Sequence, residues 1–270
     1  MTLSPLARWT LRVTMALGLA IIYVPLAIVL LNSFNADRTF AWPPTSLTLE
    51  WWSRAWDNEG AREALWTSVR TGLAATAIAL VLGSMVAFAI ARFDFFGRDA
   101  VSLLIVLPIA LPGIVTGIAL DSTYQSVIRP LGVDKGFFWV VVGHATFCVV
   151  VVYNNVLARL RRLGGNFAEA SADLGALPWQ TFRYVTLPLI RSALFAGGLL
   201  AFALSFDEII VTTFTAGPGV QTLPLWIFSN LFRPNQAPVI NVVAAVLIVL
   251  SIVPIYIAQR LSAETGGGRL

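Results

Sequence analysis

Two adjacent carboxylates in an apolar stretch are the residues of this chain best suited to chemistry. Asp207 and Glu208 follow the run LLAFALSF and precede IIVTTF, so apolar sequence continues on both sides of them. Charged side chains inside a hydrophobic span are costly and usually functional. We interpret the pair as an anionic site on the path of a cationic solute, because a carboxylate compensates an ammonium group for its lost hydration. The alternative is a structural pair at a helix end, held by an arginine of another chain.

Three further residues with reactive or charged side chains lie in or next to apolar runs. Asp121 ends another apolar run, so it either belongs to the same solute path or lies at the membrane interface. His144 is the only histidine and Cys148 the only cysteine, four residues further on. Metal sites need more ligands than these two supply, so we predict no metal. We expect His144 to be a hydrogen-bonded histidine between helices.

The segment RLRRLGGNFAEASADLGALPWQTFRYVTLPLI, which starts at Arg159, carries a second pattern. Glycines precede a stretch that predicts a short helix over Phe167–Leu174, with an acid in its first turn where the helix dipole favours negative charge. Gly175 then takes the position after a helix that glycine prefers. A second short helix is predicted over Trp179–Val185, and Leu187 with Pro188 begins the next apolar run.

Composition indicates the elements that position these residues. The 270 residues are 57% apolar and 12% charged, far from the roughly 45–50% and 25% of soluble domains, which excludes an ordinary soluble enzyme. Runs of about 20 apolar residues predict an all-α polytopic membrane protein with six transmembrane helices. The predicted spans are Leu11–Leu31, Ser68–Ala91, Val101–Leu120, Phe137–Leu157, Leu189–Phe214 and Val239–Ala258. Prolines and glycines predict a kink in the third span.

The connections and their charges predict a topology. We expect a single transmembrane domain over 1–270, with external loops at 33–66 and 215–238 and a cytoplasmic loop at 158–188. Arginines are more frequent in the segments that lie inside if both termini are cytoplasmic, which favours that orientation. The net charge of +4 comes from short clusters between apolar runs, so we expect membrane lipid and no nucleic acid as a partner.

The loop at 158–188 resembles the EAA motif of ABC importer permeases. That motif is Glu-Ala-Ala, three residues, Gly, nine residues, Ile, one residue and Leu-Pro. This chain matches its spacing, with serine replacing the second alanine and valine the isoleucine, at Glu169, Ala170, Ser171, Gly175, Val185, Leu187 and Pro188. The resemblance implies cytoplasmic coupling helices between spans four and five that connect the chain to an ATP-hydrolysing subunit, with the coupling residues Glu169, Ala170, Ser171, Gly175, Leu187 and Pro188.

The resemblance extends over nearly the whole chain. The stretches at 31–35, 107–120, 143–160 and 205–229 are similar to the second permease subunit of spermidine/putrescine importers. It implies the type I ABC importer permease fold and a place in the bacterial inner membrane. It also implies three protein partners: an ABC ATPase dimer, a second homologous permease and an extracytoplasmic substrate-binding protein.

The resemblance implies a permease subunit of an ATP-driven importer that forms half of a pore for a small solute, and we expect that solute to be a polyamine (spermidine or putrescine). No G-x-x-x-x-G-K-[ST] loop occurs, so we expect no enzyme activity and no cofactor on this chain, with ATP bound by the partner. Other solutes stay open, among them an opine, an amino-acid derivative or another small compound. More distant alternatives are a self-contained secondary carrier and an intramembrane enzyme that uses the acids or His144.

Overall fold

The computed structural model describes residues 4–38, 42–163, 166–233 and 235–250, and these residues are mainly helical. The helices are α1 Pro5–Asn32, α2 Glu50–Asp57, α3 Glu59–Arg92, α4 Arg98–Ala110, α5 Gly113–Thr123, α6 Phe137–Leu163, α7 Asn166–Asp173, α8 Pro178–Thr181, α9 Leu187–Phe206, α10 Ile210–Thr215, α11 Leu223–Asn230 and α12 Ala237–Leu250. One isolated antiparallel bridge joins Asn35 and Leu47. The predicted all-α fold class is confirmed.

Among the described residues, four helical segments are long and apolar enough to cross a membrane. They are α1, α3, α6 and the run from α8 through a π-helical turn at Phe182–Thr186 into α9. The bent pair of α4 and α5 makes a fifth span if it is counted as one. The sixth predicted span begins as α12, and its part beyond Leu250 lies outside the described residues.

The third predicted span is bent far more than a kink. The axes on either side of Leu111 and Pro112 differ by 106°. Leu111 is extended, with φ −82° and ψ 146°, as expected for a residue before proline. Pro112 has no N–H to continue the helix, so α5 starts anew at Gly113.

The fifth predicted span is also interrupted. Helix α9 ends at Phe206, and α10 begins at Ile210 after a break of three residues, Asp207–Ile209. The sequence predicted one continuous helix over Leu189–Phe214, because the flanking residues are uniformly apolar. That expectation is wrong at the two acids, which lie in the break.

Residues fall into two compact units, one from Glu63 to Trp226 and one formed by the residues up to Arg62 with those from Ile227 onward. Helix α6 is the centre of the first unit, since it is the most buried of the helices that are long enough to cross a membrane. It packs most extensively against α9. The Tyr153 hydroxyl of α6 also lies 2.7 Å from Ser102 Oγ of α4.

Glycines allow α6 to approach its neighbours closely. A Cβ on Gly83 of α3 would lie 2.8 Å from the carbonyl oxygen of Val149 and 3.0 Å from the nitrogen of Tyr153. On the other side, a Cβ on Gly197 of α9 would lie 3.3 Å from Cα of Val152. The backbones of α3, α6 and α9 are therefore nearly in contact at the middle of the unit.

The predicted loops contain helices. The 33–66 stretch includes α2, whose buried Trp51 donates from Nε1 to the carbonyl oxygen of Asn35 at 2.9 Å, and it includes the first turns of α3. The 215–238 stretch includes α11, whose Leu223 amide donates to Ser68 Oγ at 2.8 Å. Two expectations stay predictions: that the chain forms one permease domain, and that each of these stretches lies on the predicted side of the membrane.

Candidate functional site

The break between α9 and α10 holds the two predicted solute-path acids in different settings. Asp207 follows the last turn of α9, its amide donates to the carbonyl oxygen of Ala203 at 3.2 Å, and the residue is exposed. Glu208 is half-buried, and its Oε1 accepts the amide of Val211 at 2.8 Å. Glu208 therefore satisfies a free N–H at the start of α10, where a negative charge also meets the helix dipole.

Neither acid is neutralised by a basic side chain within the described residues. The pair therefore adds two formal negative charges next to an apolar helix. Because unpaired charges in such a setting are costly, they are suited to hold a cation that arrives from outside this chain. This geometry is compatible with the solute-path interpretation and equally with a partner arginine.

The third predicted solute-path residue, Asp121, lies at the other end of α10. It forms an ion pair with Lys135, whose Nζ also donates to the carbonyl oxygen of Phe214 at 2.9 Å. The same ammonium lies 5.0 Å from the ring centroid of Tyr124. Helix α10 has six residues, which at 1.5 Å per residue separates the two acidic positions by about 9 Å. Asp121 is thus already neutralised by the chain itself.

Sequence reasoning did not single out Lys135, although it is the only lysine of the chain. Its separation from Asp121 is 14 residues and spans a turn, so no periodic pattern links the two. The composition offered one signal: a lone lysine among arginines in a loop that also contains an acid.

Four of the predicted coupling residues, Glu169 to Gly175, lie in a helix–turn–helix that we call the EAA-like segment, Asn166–Thr186, and the other two, Leu187 and Pro188, follow it directly. Glu169 stands in the first turn of α7 and is exposed, as is Ala170. Gly175 adopts φ +81° after the end of α7, a conformation that favours glycine. Its amide donates to the carbonyl oxygen of Ala172 at 2.8 Å, which closes the last turn.

Short contacts fix the second half of the EAA-like segment to the first. Ser171 Oγ lies 3.0 Å from Thr181 Oγ1, which joins α7 to α8. The Leu177 amide donates to Gln180 Oε1 at 2.8 Å and begins α8. Leu187 and Pro188 are the first two residues of α9, so the segment continues without a linker into that helix.

Aromatic rings connect the EAA-like segment to α3. Phe182 stacks on Trp179 with centroids 5.6 Å apart and meets Phe88 of α3 edge-on at 5.6 Å. The segment is therefore a braced projection rather than a loose loop. Such bracing is what a part that transmits movement requires.

The EAA-like segment also exposes large apolar side chains. Leu174, at the turn, is 89% exposed, and Leu177, Trp179 and Tyr184 are each exposed by more than half. Exposed apolar side chains on a short segment that also carries polar residues are what a docking surface for another protein requires. Sequence analysis located the segment but named Glu169 and Gly175 rather than these apolar residues.

Comparison with known proteins bears on the whole chain. The family model of the binding-protein-dependent transport system inner membrane component matches residues 79–265. The chain is 32% identical over 255 residues to the putrescine transport system permease protein PotI of Escherichia coli (strain K12), covering 90% of this chain and 88% of that protein. It is also 32% identical over 246 residues to the spermidine/putrescine transport system permease protein PotC of Haemophilus influenzae, covering 91% and 93%.

A solved structure shares the fold. The crystal structure of a bacterial ABC transporter involved in the import of the acidic polysaccharide alginate matches with a TM-score of 0.63 at 19% identity, over 98% of this chain and 99% of that chain. The resemblance drawn from the sequence is confirmed. This chain belongs to the family of binding-protein-dependent transport system inner membrane components.

Proposed function

We propose that this chain is one of two permease subunits of an ATP-driven importer, and that its EAA-like segment docks onto the partner ATPase. The observation that carries this proposal is the braced, apolar-tipped helix–turn–helix, which continues directly into α9. An ATPase that closes on ATP would press on Leu174 and Trp179 and move α9 as a rigid lever. Glu169 and Gly175 fix the shape of the docking helix rather than react.

The remaining partners follow from the same proposal. The chain has no phosphate-binding loop, so ATP binds to the partner ATPase dimer and this chain needs no cofactor of its own. A second homologous permease completes the pore, and an extracytoplasmic protein delivers the solute. Both termini and the EAA-like segment lie in the cytoplasm, as the arginine distribution favours.

We further propose that the solute is a polyamine such as putrescine or spermidine. Two curated relatives at 32% identity have putrescine or spermidine transport in their names. The acids in the α9–α10 break suit the ammonium groups of such a solute. The fold alone does not fix the solute, because the transporter with the shared fold imports an acidic polysaccharide. An opine or an amino-acid derivative is the alternative within the same class.

The test is uptake of labelled putrescine and spermidine in cells that carry the complete transporter and no second polyamine system. Wild type is compared with a deletion of this gene, with Asp207→Asn, and with Glu208→Gln. The glutamine keeps an oxygen that can accept the Val211 amide and removes only the charge. Asp57→Asn, at the end of α2, is a control for loss of an exposed acid.

We expect uptake to require this chain and a hydrolysis-competent ATPase. Asp207→Asn and Glu208→Gln should each raise the KM for uptake about tenfold, because each removes a charge-assisted hydrogen bond to the solute. Asp57→Asn leaves KM unchanged. Undiminished uptake after deletion overturns the polyamine proposal, and uptake that survives an inactive ATPase overturns the importer proposal.

A further inference from the structure

The imidazole of His144 bridges the two helices on either side of the α9–α10 break. His144 lies on α6 and is fully buried. Its Nδ1 lies 2.8 Å from Ser205 Oγ, in the last turn of α9. Its Nε2 lies 2.8 Å from Thr212 Oγ1, in α10. One side chain therefore holds both ends of the break that carries the two acids.

Counting hydrogens gives an arrangement that satisfies every group. The Thr212 hydroxyl has one hydrogen, which the carbonyl oxygen of Glu208 at 3.0 Å can accept. With that bond made, Thr212 accepts from His144, which places the imidazole hydrogen on Nε2. Nδ1 of that neutral tautomer is an acceptor, so Ser205 donates to it. Each of these groups has a partner, as buried polar groups require.

The same bonds reach Glu208. Its carbonyl oxygen accepts from Thr212, and its carboxylate accepts the Val211 amide at 2.8 Å. Main chain and side chain of this acid are thus both fixed to the first turn of α10. The Nε2 bond in turn fixes that turn to α6. A continuous chain of hydrogen bonds runs from His144 through Thr212 to Glu208.

Packing leaves the bridge little room to loosen. Next to His144, a Cβ on Gly143 would lie 2.9 Å from Thr215 Cγ2 and 3.2 Å from Val211 Cγ1. Helix α10 is therefore pressed against α6. Other bonds also join α6 to α9, since Cys148 Sγ donates to the carbonyl oxygen of Ala201 at 3.3 Å and Arg159 Nε donates to that of Leu189 at 2.9 Å.

We propose that His144 is the positioning residue of the acidic break: it fixes α10 to the α6–α9 pair and thereby sets where Asp207 and Glu208 present their charges. That His144 fixes the position of α10 requires no assumption about the solute. That His144 thereby affects solute affinity rests on the proposed function of the acids. The proposal requires no contact between His144 and the solute.

Matched substitutions separate the two bonds of the bridge. Thr212→Val removes the α10 bond and keeps the side-chain shape, and Ser205→Ala removes the α9 bond. Thr213→Val is the control, because its hydroxyl also donates to the carbonyl four residues earlier, Ile209 at 2.8 Å, but it is exposed. His144→Gln retains an amide in place of Nε2, and the double variant with Thr212→Val tests whether the two residues act together.

The first measurement needs no solute. In the complete transporter with Cys148→Ser, Asp207→Cys is modified with a positively charged methanethiosulfonate reagent. We expect Thr212→Val to change the modification rate at least about fivefold, the effect of losing one buried hydrogen bond, while Thr213→Val leaves it unchanged. Equal rates in the two variants overturn the positioning role.

The second measurement is uptake of labelled putrescine and spermidine by the assembled transporter in vesicles. We expect Thr212→Val and His144→Gln to raise KM with less effect on kcat, and the double variant to be no worse than the more severe single one. A different result would show that His144 is purely structural: the KM stays unchanged, and the double variant loses as much assembled transporter as the two single variants together. If the modification rates respond while polyamine uptake is absent, the bridge stands and the polyamine proposal fails.

Discussion

At the scale of residues, the two acids of the break are not equivalent. Glu208 is half-buried and accepts a backbone amide, whereas Asp207 is exposed at the end of α9. A carboxylate that already accepts one hydrogen bond retains lone pairs for an ammonium group. On the proposed solute path, Asp207 would be the first charge to meet a cation, and Glu208 would be a second one in a fixed orientation.

Asp121 provides the contrasting case, because Lys135 neutralises it. We predict that Asp121→Asn lowers the amount of assembled transporter and leaves the KM for the solute unchanged, since it strands the Lys135 ammonium. The double variant Asp121→Asn with Lys135→Met restores assembly, because removing both charges leaves neither unpaired.

Assembled transporter recovered in detergent and the uptake KM are the two measurements. A raised KM in Asp121→Asn with normal assembly would instead place Asp121 on the solute path. No rescue by the double variant would show that the ion pair does not stabilise this end of α10.

The sequence was sufficient to predict the role of His144 but not its hydrogen-bond partners. A lone histidine within an apolar span predicted a hydrogen-bonded histidine between helices, and the structure confirms it. The partners of His144 could not be predicted, because Ser205 and Thr212 are 61 and 68 residues away. Only the register of α6 against α9 and α10 brings them together.

At the scale of elements, glycines determine how closely α3 can approach α6. We predict that Gly83→Ala lowers the free energy of unfolding of the transporter by about 1–3 kcal/mol, because the new methyl group meets backbone atoms that cannot move aside. Gly198→Ala is the matched control, since its Cβ would lie 3.5 Å from the flexible side chain of Leu80. Thermal unfolding in detergent measures both, and equal midpoints would contradict the prediction.

Five of the six spans, counting the bent pair as one, were predictable within the described residues, because length and hydropathy alone define them. The breaks inside them were less so. Pro112 signalled an interruption but not a 106° bend, which depends on the extended Leu111. The end of α9 at Phe206 gave no signal of its own, since glutamate and aspartate are compatible with a helix and only the bond from Val211 to Glu208 shows a new start.

At the scale of the whole molecule, the proposed coupling to an ATPase depends on the shape of the turn after α7. We predict that Gly175→Asp leaves the transporter assembled but uncouples ATP hydrolysis from uptake. Gly175, Gly97 and Gly132 have φ of +81°, +84° and +77°, and none would have an atom within 4 Å of a new Cβ. Gly97→Asp and Gly132→Asp therefore impose the same backbone strain away from the EAA-like segment.

ATPase rate and uptake are measured on the same vesicles for the three variants. Only Gly175→Asp is expected to hydrolyse ATP without transport. Normal uptake by that variant, or the same loss in all three, would contradict a coupling role for this turn.

The single lysine gives the chain one more property. A protease specific for lysine has one cleavage site in these 270 residues, after Lys135, between α5 and α6. The ammonium at that site is engaged by Asp121 and the carbonyl of Phe214. Cleavage therefore requires the lysine to leave its contacts with Asp121 and the end of α10. The cleavage rate would then measure how often these contacts open. Adding the protease to one face of sealed vesicles would also show which side of the membrane that end faces.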